Sequence, residues 1–307
     1  MIEVSVIIVT YQSENDILPC LKSVYEQTID VEFEIIVIDN ASTDNTLNVI
    51  KKYFSDIILF QNKSNLGFSV ANNMAVSISR GKYLFFINPD TILVDSSIKE
   101  LLSIYKSENN VGIIGPEINN SDGTLQLSSG YLPSIYSTLY EIFGLYLFLP
   151  QSYFGYRIIP DDSKERLMVG WVSGACFLVR KKYYEKIDGF DENYFMYMED
   201  VDLCRRIRLL KKEIMFTNST KVVHLKAQSS KQNRYHSSIA NYYSKLYYHK
   251  KYDGNVVFYI LIPLLFMASV IKLFGLIIFM ESKDNIHSQY QVVISLLKCN
   301  NIPLNKQ

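Results

Sequence analysis

The chain has 307 residues, 48% of them hydrophobic, with 31 basic side chains balanced by 31 acidic ones. That length allows one large or two small domains with a substantial core, and the balanced charge lacks the basic footprint of a nucleic-acid-binding protein. The four cysteines, Cys20, Cys176, Cys204 and Cys299, form no Cys-x-x-Cys pair, so neither a zinc site nor a disulfide framework is expected and a reducing compartment suits them.

Glu3 stands where a signal peptide would carry basic residues, so no such leader is expected; the apolar run 4–9 is instead of strand length. Ser13 is placed to cap a helix whose apolar positions are Ile17, Leu18, Leu21, Val24 and Tyr25. A second strand over 34–38 ends in Asp39-Asn40, and Ser42 or Thr43 is placed to cap a helix carrying Leu47, Ile50 and Phe54. A third strand over 57–60 leads to a helix from about Ser69, with Ala71, Met74, Ala75 and Ile78 on one face and Gly81 at its end. A fourth strand over 82–87 stops at Asn88-Pro89-Asp90, and a helix presenting Ile98, Leu101, Leu102 and Tyr105 follows.

Near-continuous apolar strands alternating with amphipathic helices predict an α/β fold with a mostly parallel central sheet covered on both faces. Ligands of such sheets gather at the carboxyl ends of the strands, which puts Thr10-Tyr11, Asp39-Asn40 and Asn88-Pro89-Asp90 on one rim. Further strands are predicted over 111–118, 172–179, 213–217 and 221–225. Between them, residues 119–169 read as loop-rich and aromatic. The stretch 131–156 is open to three readings: a lid, an acceptor-binding wall or a membrane-facing patch.

Several polar clusters carry candidate chemistry. Asn88-Pro89-Asp90 is an oxygen-bearing turn able to hold a divalent cation when a substrate supplies phosphates, or else a simple turn. Asp39 is able to accept a hydrogen from a nucleotide base or to cap a helix. In Asn65-Leu66-Gly67-Phe68, Gly67 permits close approach of the backbone to a ligand, and the helix start behind it favours phosphate. No Gly-x-Gly-x-x-Gly or Gly-Lys-Ser/Thr motif supports a dinucleotide or P-loop reading. His224, among Val222, Val223 and Leu225, is either structural or a metal donor. Glu199, Asp200 and Asp202 open an apolar-periodic helix predicted from about 199 to 210, directly after the aromatic Tyr194, Phe195 and Tyr197. The helix dipole alone accounts for Asp202, whereas a carboxylate near apolar groups and other carboxylates is a proton-transfer candidate.

From Val256 to Met280 only Lys272 is charged, and Pro263 interrupts the run. Roughly 20 apolar residues cross a bilayer as a helix. An interfacial or re-entrant segment is favoured, with a true span or a buried core helix as alternatives. Lys226, Lys231, Arg234, Lys245, Lys250 and Lys251 precede it, interleaved with Tyr242, Tyr243, Tyr247, Tyr248 and Tyr252, a composition suited to anionic headgroups.

Taken in order, Val6-Ile7-Ile8-Val9-Thr10-Tyr11, Ile38-Asp39-Asn40-Ala41-Ser42-Thr43-Asp44, Asn65-Leu66-Gly67-Phe68, Ile87-Asn88-Pro89-Asp90, Asp122-Gly123-Thr124-Leu125-Gln126, Val172-Ser173-Gly174-Ala175-Cys176, Gly189-Phe190-Asp191-Glu192 and Glu199-Asp200-Val201-Asp202-Leu203 carry a resemblance. Over about residues 3 to 228 the chain resembles the family 2 glycosyltransferases, and their rhamnosyltransferase-like branch of bacterial polysaccharide assembly most of all. The resemblance implies a GT-A-type nucleotide-sugar fold and inversion at the anomeric carbon. It implies that Thr10, Tyr11 and Asp39 hold base and ribose, and that Asn65 and Gly67 line the donor pocket. Asp90 would bind a divalent cation, Mg or Mn, on the donor diphosphate, with Asn88 at the first position of the family's Asp-x-Asp and His224 as the downstream metal-binding histidine. The Gly-rich turn that often follows that histidine is replaced here by Lys226-Ala227-Gln228-Ser229-Ser230. Asp200 would be the catalytic base, Glu199 would contact the acceptor, and Trp171 would offer the incoming sugar a stacking face.

The expected organisation is a nucleotide-sugar-binding half over 1–115, an acceptor-binding half of the same domain over 116–230, and a basic, aromatic and apolar helical tail over 231–307. The expected partners are a nucleotide-diphosphate sugar, a lipid-linked glycan acceptor and the cytoplasmic face of the cell membrane. Competing readings are another donor (galactose, glucose or an N-acetylhexosamine), a catalytically inactive membrane-tethered nucleotide-sugar binder, and a nucleotidyltransferase. The last lacks a basic Gly-rich loop, since Gln12-Ser13-Glu14 follows the first strand.

Overall fold

Val4–Thr10 (β1), Phe33–Asp39 (β2), Ile58–Gln61 (β3) and Tyr83–Ile87 (β4) contain the apolar runs of the first half. In a computed structural model of the chain they pair in parallel, in the order β3-β2-β1-β4. The structure describes residues 2–148, 157–158, 164–225 and 234–297. Almost every position of β1, β2 and β4 is buried, the signature of a sheet covered on both faces. Helices Ile17–Gln27 (α1), Thr46–Tyr53 (α2) and Phe68–Ile78 (α3) connect them, and Ser97–Ser107 (α4) follows the last of them. In α1, Ile17, Cys20, Leu21 and Val24 are buried at helical spacing, so this face turns to the core.

The sheet continues through Cys176–Arg180 (β11), Val111–Asn119 (β6), Glu213–His224 (β12) and Thr91–Leu93 (β5). Of the described strands on this path, β11 and β5 run against the other six, so the sheet is mostly parallel as expected. Leu125–Gln126 (β7) flanks β6, and Arg166–Val169 (β9) flanks β12. Ser129–Gly130 (β8) and Trp171–Val172 (β10) form a separate antiparallel pair. The remaining helices are Ile135–Ile142 (α5), Lys181–Lys186 (α6), Glu199–Leu209 (α7), Arg234–Ile278 (α8) and Lys283–Leu297 (α9).

Local departures from the sequence expectation have identifiable causes. The strand expected over 172–179 is two strands, because Ser173 and Gly174 give their N–H groups to the Ser128 carbonyl and the Asp200 carboxylate instead of a ladder. The strands expected over 213–217 and 221–225 are one, β12, whose register slips between Thr217 and Lys221 as in a bulge. Ser13 is not a cap: its carbonyl, not its hydroxyl, accepts the Ile17 N–H. Ser42 and Thr43 do not cap α2 either, since their hydroxyls accept from Gln12 and the helix starts later, at Thr46. Helix α3 ends at Ile78, before Gly81, where a Cβ would sit 2.4 Å from the Ser5 nitrogen. Part of the aromatic stretch is the helix α5, started by a capping box between Ser134 and Ser137.

The chain divides into two units: residues 1–132, 157–192 and 199–229, and residues 133–156, 193–198 and 230–307. The first holds the sheet. The second holds α5, α8 and α9. Helix α8 breaks at Gly254, whose φ of 89° lies in the left-handed region glycine tolerates. Leu246, before the break, shares an apolar cluster with Phe258, Leu261 and Leu265 beyond it, and Ile239 clusters with Val292 and Leu296 of α9. The 226–230 turn, Lys231, Cys299 and residues 149–156 lie outside the described residues, as does the side chain of Arg234.

Candidate active site

The parallel register aligns the strand ends: Thr10 of β1 pairs with Asp39 of β2, which pairs with Gln61 of β3. Thr10 is fully buried, and its hydroxyl donates to Asp39 Oδ1 at 3.0 Å, while the Ser42 N–H donates to Oδ2 at 2.9 Å. Asp39 is thereby fixed in orientation, with acceptor capacity remaining on both oxygens. Tyr11, next along the rim, is 38% exposed. Asn40 donates through Nδ2 to the Gly67 carbonyl at 3.0 Å and accepts from Asn62 at 2.8 Å, while Asn65 Oδ1 accepts the Gly67 N–H at 2.9 Å. Gly67 has φ 85° at the start of α3. Asn40 therefore ties the Asp39 strand end to the Asn65–Gly67 turn, a role its position in the sequence did not reveal.

Asp90 follows β4 and is buried; its carbonyl accepts the Leu225 N–H at 2.9 Å, which binds it to the end of β12. His224 Nε2 lies 3.1 Å from Asp90 Oδ1, and its Nδ1 lies 3.2 Å from Gln126 Oε1. With Nδ1 turned to that amide oxygen, Nε2 and the carboxylate face each other as two donors of the kind a divalent cation takes. In an octahedron with bonds near 2.1 Å, cis ligands lie about 3 Å apart, so the pair suits two sites of one ion. Among the described residues no set of three His, Cys, Asp or Glu side chains is grouped to hold an ion. Protein and substrate phosphates together fit such a cation, as is usual for Mg²⁺. Gln126 is in the Asp122–Gln126 motif, but nothing in the sequence pointed to His224 as its partner.

Helix α7 opens with the three acids, each in a different setting. Asp202 is fully buried and paired with Arg206 at 2.6 Å. Glu199 is buried, and its Oε2 has no hydrogen-bond partner among the described residues. Burial, with Asp200 beside it, pushes the Glu199 carboxyl well above its ordinary range. Asp200 is only part-buried; it accepts N–H groups from Gly174 at 2.9 Å and Val201 at 2.8 Å. Burial raises Asp200 too, opposed by those N–H donors and by the charge of Arg157. With the donors on Asp200, a proton shared by the pair resides preferentially on Glu199, leaving Asp200 ionised and reachable. Two consecutive residues before the helix, Tyr197 and Met198, hold φ near 70° (70° and 67°), backbone strain of the kind concentrated at functional sites.

The Ser173–Ala175 turn joins these clusters. Gly174 N–H holds Asp200, and the Ala175 carbonyl accepts the Asn88 N–H at 2.9 Å, so Asp200 and the Asn88–Asp90 turn are anchored to adjacent residues. The pairing of Cys176 with Ile87 puts both on one rim. Trp171 lies within β10 rather than just before a strand and is 6% exposed, so little of its ring reaches the surface. Arg157, bridged to Gly130 across β8, carries no sequence signal for its influence on Asp200.

Residues 5–188 match the family described as glycosyl transferase family 2. The chain belongs to that family. Over 210 residues this glycosyltransferase is 32% identical to the N-acetylglucosaminyl-diphospho-decaprenol L-rhamnosyltransferase of Mycobacterium tuberculosis, covering 64% of this chain and 67% of that protein. Over 232 residues it is 25% identical to the rhamnosyltransferase WbbL of Escherichia coli, covering 72% and 83%. These make it a rhamnosyltransferase-like member of the family. The fold resembles that of GalNAc-T7 crystallised with UDP, GalNAc and Mn²⁺, with a TM-score of 0.57 at 15% identity over 73% of this chain and 44% of that one. At that identity the likeness shows the GT-A-like fold.

Proposed function

We propose that this glycosyltransferase moves a sugar, rhamnose in the first instance, from a nucleoside-diphosphate donor to a hydroxyl of a lipid-linked glycan, with inversion at the anomeric carbon. The observation that carries this reading is the single rim on which the Asp90–His224 pair and Asp200 are held by neighbouring residues of one turn. The two rhamnosyltransferase relatives support the sugar, and the decaprenol in one relative's name supports a lipid-linked acceptor.

Asp39 accepts hydrogen from the base, with Thr10 and Ser42 fixing its orientation, and Tyr11 and the Asn65–Gly67 turn line the donor. Asn88 and Asp90 meet the diphosphate. A divalent cation held by Asp90 and His224 would offset negative charge on the leaving diphosphate. Asp200 takes the proton from the acceptor hydroxyl as that oxygen bonds to the anomeric carbon. The bond from that carbon to the diphosphate oxygen breaks on the opposite face, and its electron pair leaves with the nucleoside diphosphate. Glu199, carrying a proton in its buried site, contacts the acceptor as a hydrogen-bond donor. Holding acceptor and donor in line lowers the barrier by several kcal/mol, on the order of an effective-molarity advantage. The reading places the chain at the cytoplasmic face of the membrane, in cell-surface polysaccharide assembly.

The test is transfer to a lipid-diphosphate N-acetylhexosamine acceptor from a panel of nucleoside-diphosphate rhamnose, glucose, galactose and N-acetylhexosamine. Product from the rhamnose donor, at least about tenfold faster than from the others, is expected. A different preferred donor would revise the sugar, and no product from any donor would overturn the proposal.

A further inference from the structure

The region after Gly254 is long and apolar enough to cross a bilayer, yet its packing points to a different use. Residues 255–278 extend about 36 Å as a helix. One face, with Phe258, Leu261, Leu265 and Ala268, is buried. Leu261 and Leu265, in the middle of the arm, share their cluster with Leu246 of the arm before the break. That preceding arm carries Lys245, ion-paired with Glu141 at 2.7 Å, and His249, bonded to Thr138 at 2.7 Å and Asp253 at 2.6 Å, together with exposed Lys250 and Lys251. Ser269, also mid-arm, is buried and receives two hydrogen bonds from Gln289 of α9. A spanning helix would carry these companions into hydrocarbon, where ionised side chains are expensive.

The opposite face is apolar and open. Val256, Ile260, Met267, Ile271, Phe274 and Ile278 follow one another at three-, four- and seven-residue steps and are 46–74% exposed. Lys250 and Lys251 stand at the bend just before this stripe, while Lys272 lies off it, following Leu261, Leu265 and Ala268 at four-, three- and four-residue steps on the side where Lys245 also acts. The carboxylates near the stripe, Asp253 and Glu281, sit at its two ends, and Asp253 is bonded to His249. A bilayer span would draw Lys272 into hydrocarbon together with that inward side. A single leaflet takes the uncharged stripe alone and leaves Lys272, Lys250 and Lys251 on the headgroup side, where basic residues meet anionic lipid.

We infer that residues 255–278 lie in the plane of one anionic leaflet, embedded along the exposed stripe and backed on the water side by the rest of α8 and by α9. The chain is then monotopic, with a surface built to meet a membrane-borne acceptor. This deepens the proposed function by naming the surface on which it operates, but the packing that supports it is independent of catalysis.

Single tryptophans introduced as Tyr259→Trp, Met267→Trp and Phe274→Trp, read as difference signals against the native Trp171, report depth through brominated-lipid quenching in vesicles of mixed anionic and neutral lipid. The three positions span 15 residues, about 22 Å of helix. In-plane docking gives all three the same shallow depth, and Phe274→Ser with Ile278→Ser, both solvent-facing changes, weakens vesicle flotation at least tenfold. Quenching that is deepest at Met267→Trp and shallow at both ends would establish a span and overturn the inference. So would an absence of quenching, or blue-shifted emission that follows protein concentration rather than lipid. Transfer to a water-soluble acceptor analogue, assayed alongside, separates loss of docking from failure of the catalytic reading.

Discussion

Removing the Arg206 guanidinium should destabilise the sheet-bearing unit by about 3–5 kcal/mol, the usual consequence of breaking a buried ion pair from one side. The Arg206 side chain is 15% exposed, and Asp202 beneath it is fully buried at 2.6 Å. Its Nη1 also donates to the carbonyls of Ile187 and Gly189, each at 2.6 Å. Arg206→Met thus takes the guanidinium from a fully buried carboxylate and a donor from two carbonyls. At about 2–4 °C per kcal/mol for a chain of roughly this size, the melting temperature should fall by roughly 6–20 °C. Thermal unfolding followed by circular dichroism measures it, with Asp202→Asn/Arg206→Met as the companion. The double variant should recover a substantial part of the loss, because the buried carboxylate that lost its guanidinium is then an amide. A single variant within about 2 °C of wild type, or a double variant no more stable than the single, would refute the assignment of this pair as the brace of α7.

Glu199→Gln should stabilise the protein increasingly as pH rises. The raised Glu199 carboxyl means that the folded state keeps a proton the unfolded chain has already lost, so wild-type stability falls from the ordinary carboxylate range upward until the folded group ionises. Urea titrations between pH 4 and 9 that show the same slope in both proteins would sink this. The acid limb of transfer should likewise lie above the ordinary carboxylate range, since Asp200 is raised and acts only when ionised. Gly67→Ala should cost about 1–3 kcal/mol, because φ 85° with ψ 174° is accessible essentially to glycine alone, and should raise the donor KM more than it lowers kcat; an unchanged donor KM would argue against the turn as part of the donor pocket. Transfer in excess EDTA should fall at least about 100-fold and return with Mg²⁺ or Mn²⁺, and Asp90→Asn should weaken that rescue. Full turnover in EDTA would remove the cation from the account.

Much of this site is legible in the sequence, for a physical reason. Parallel strands buried on both faces are largely apolar, so the polar residues at or just past their carboxyl ends (Thr10, Asp39, Asn88, Asp90) mark the rim directly. What escaped were partnerships over long sequence separations. Gln126 meets His224 across 98 residues, and Gly174 meets Asp200 across 26. No local pattern encodes either. The same remote bonds hid the break between β10 and β11, since the Ser173 and Gly174 N–H groups leave the ladder for partners elsewhere. The acids of α7 were visible as a cluster, but only burial and hydrogen bonding separate the Arg206-paired Asp202 from Glu199, raised by burial, and the part-buried Asp200. At the other end, apolar composition could not distinguish a span from a one-sided helix. Gly254 and the inward cluster around Leu246 are the features on which the in-plane inference rests.

The central claim is that Asp200 removes the acceptor proton. Asp200→Asn leaves an amide oxygen able to accept one backbone N–H and removes the ionised oxygen that would take the proton, so general-base loss should lower kcat by about 10²–10⁴-fold. Paired measurement of transfer and of donor affinity by calorimetry is therefore decisive: the expected result is that loss with donor binding within about threefold of wild type. Transfer within about tenfold of wild type would contradict the account.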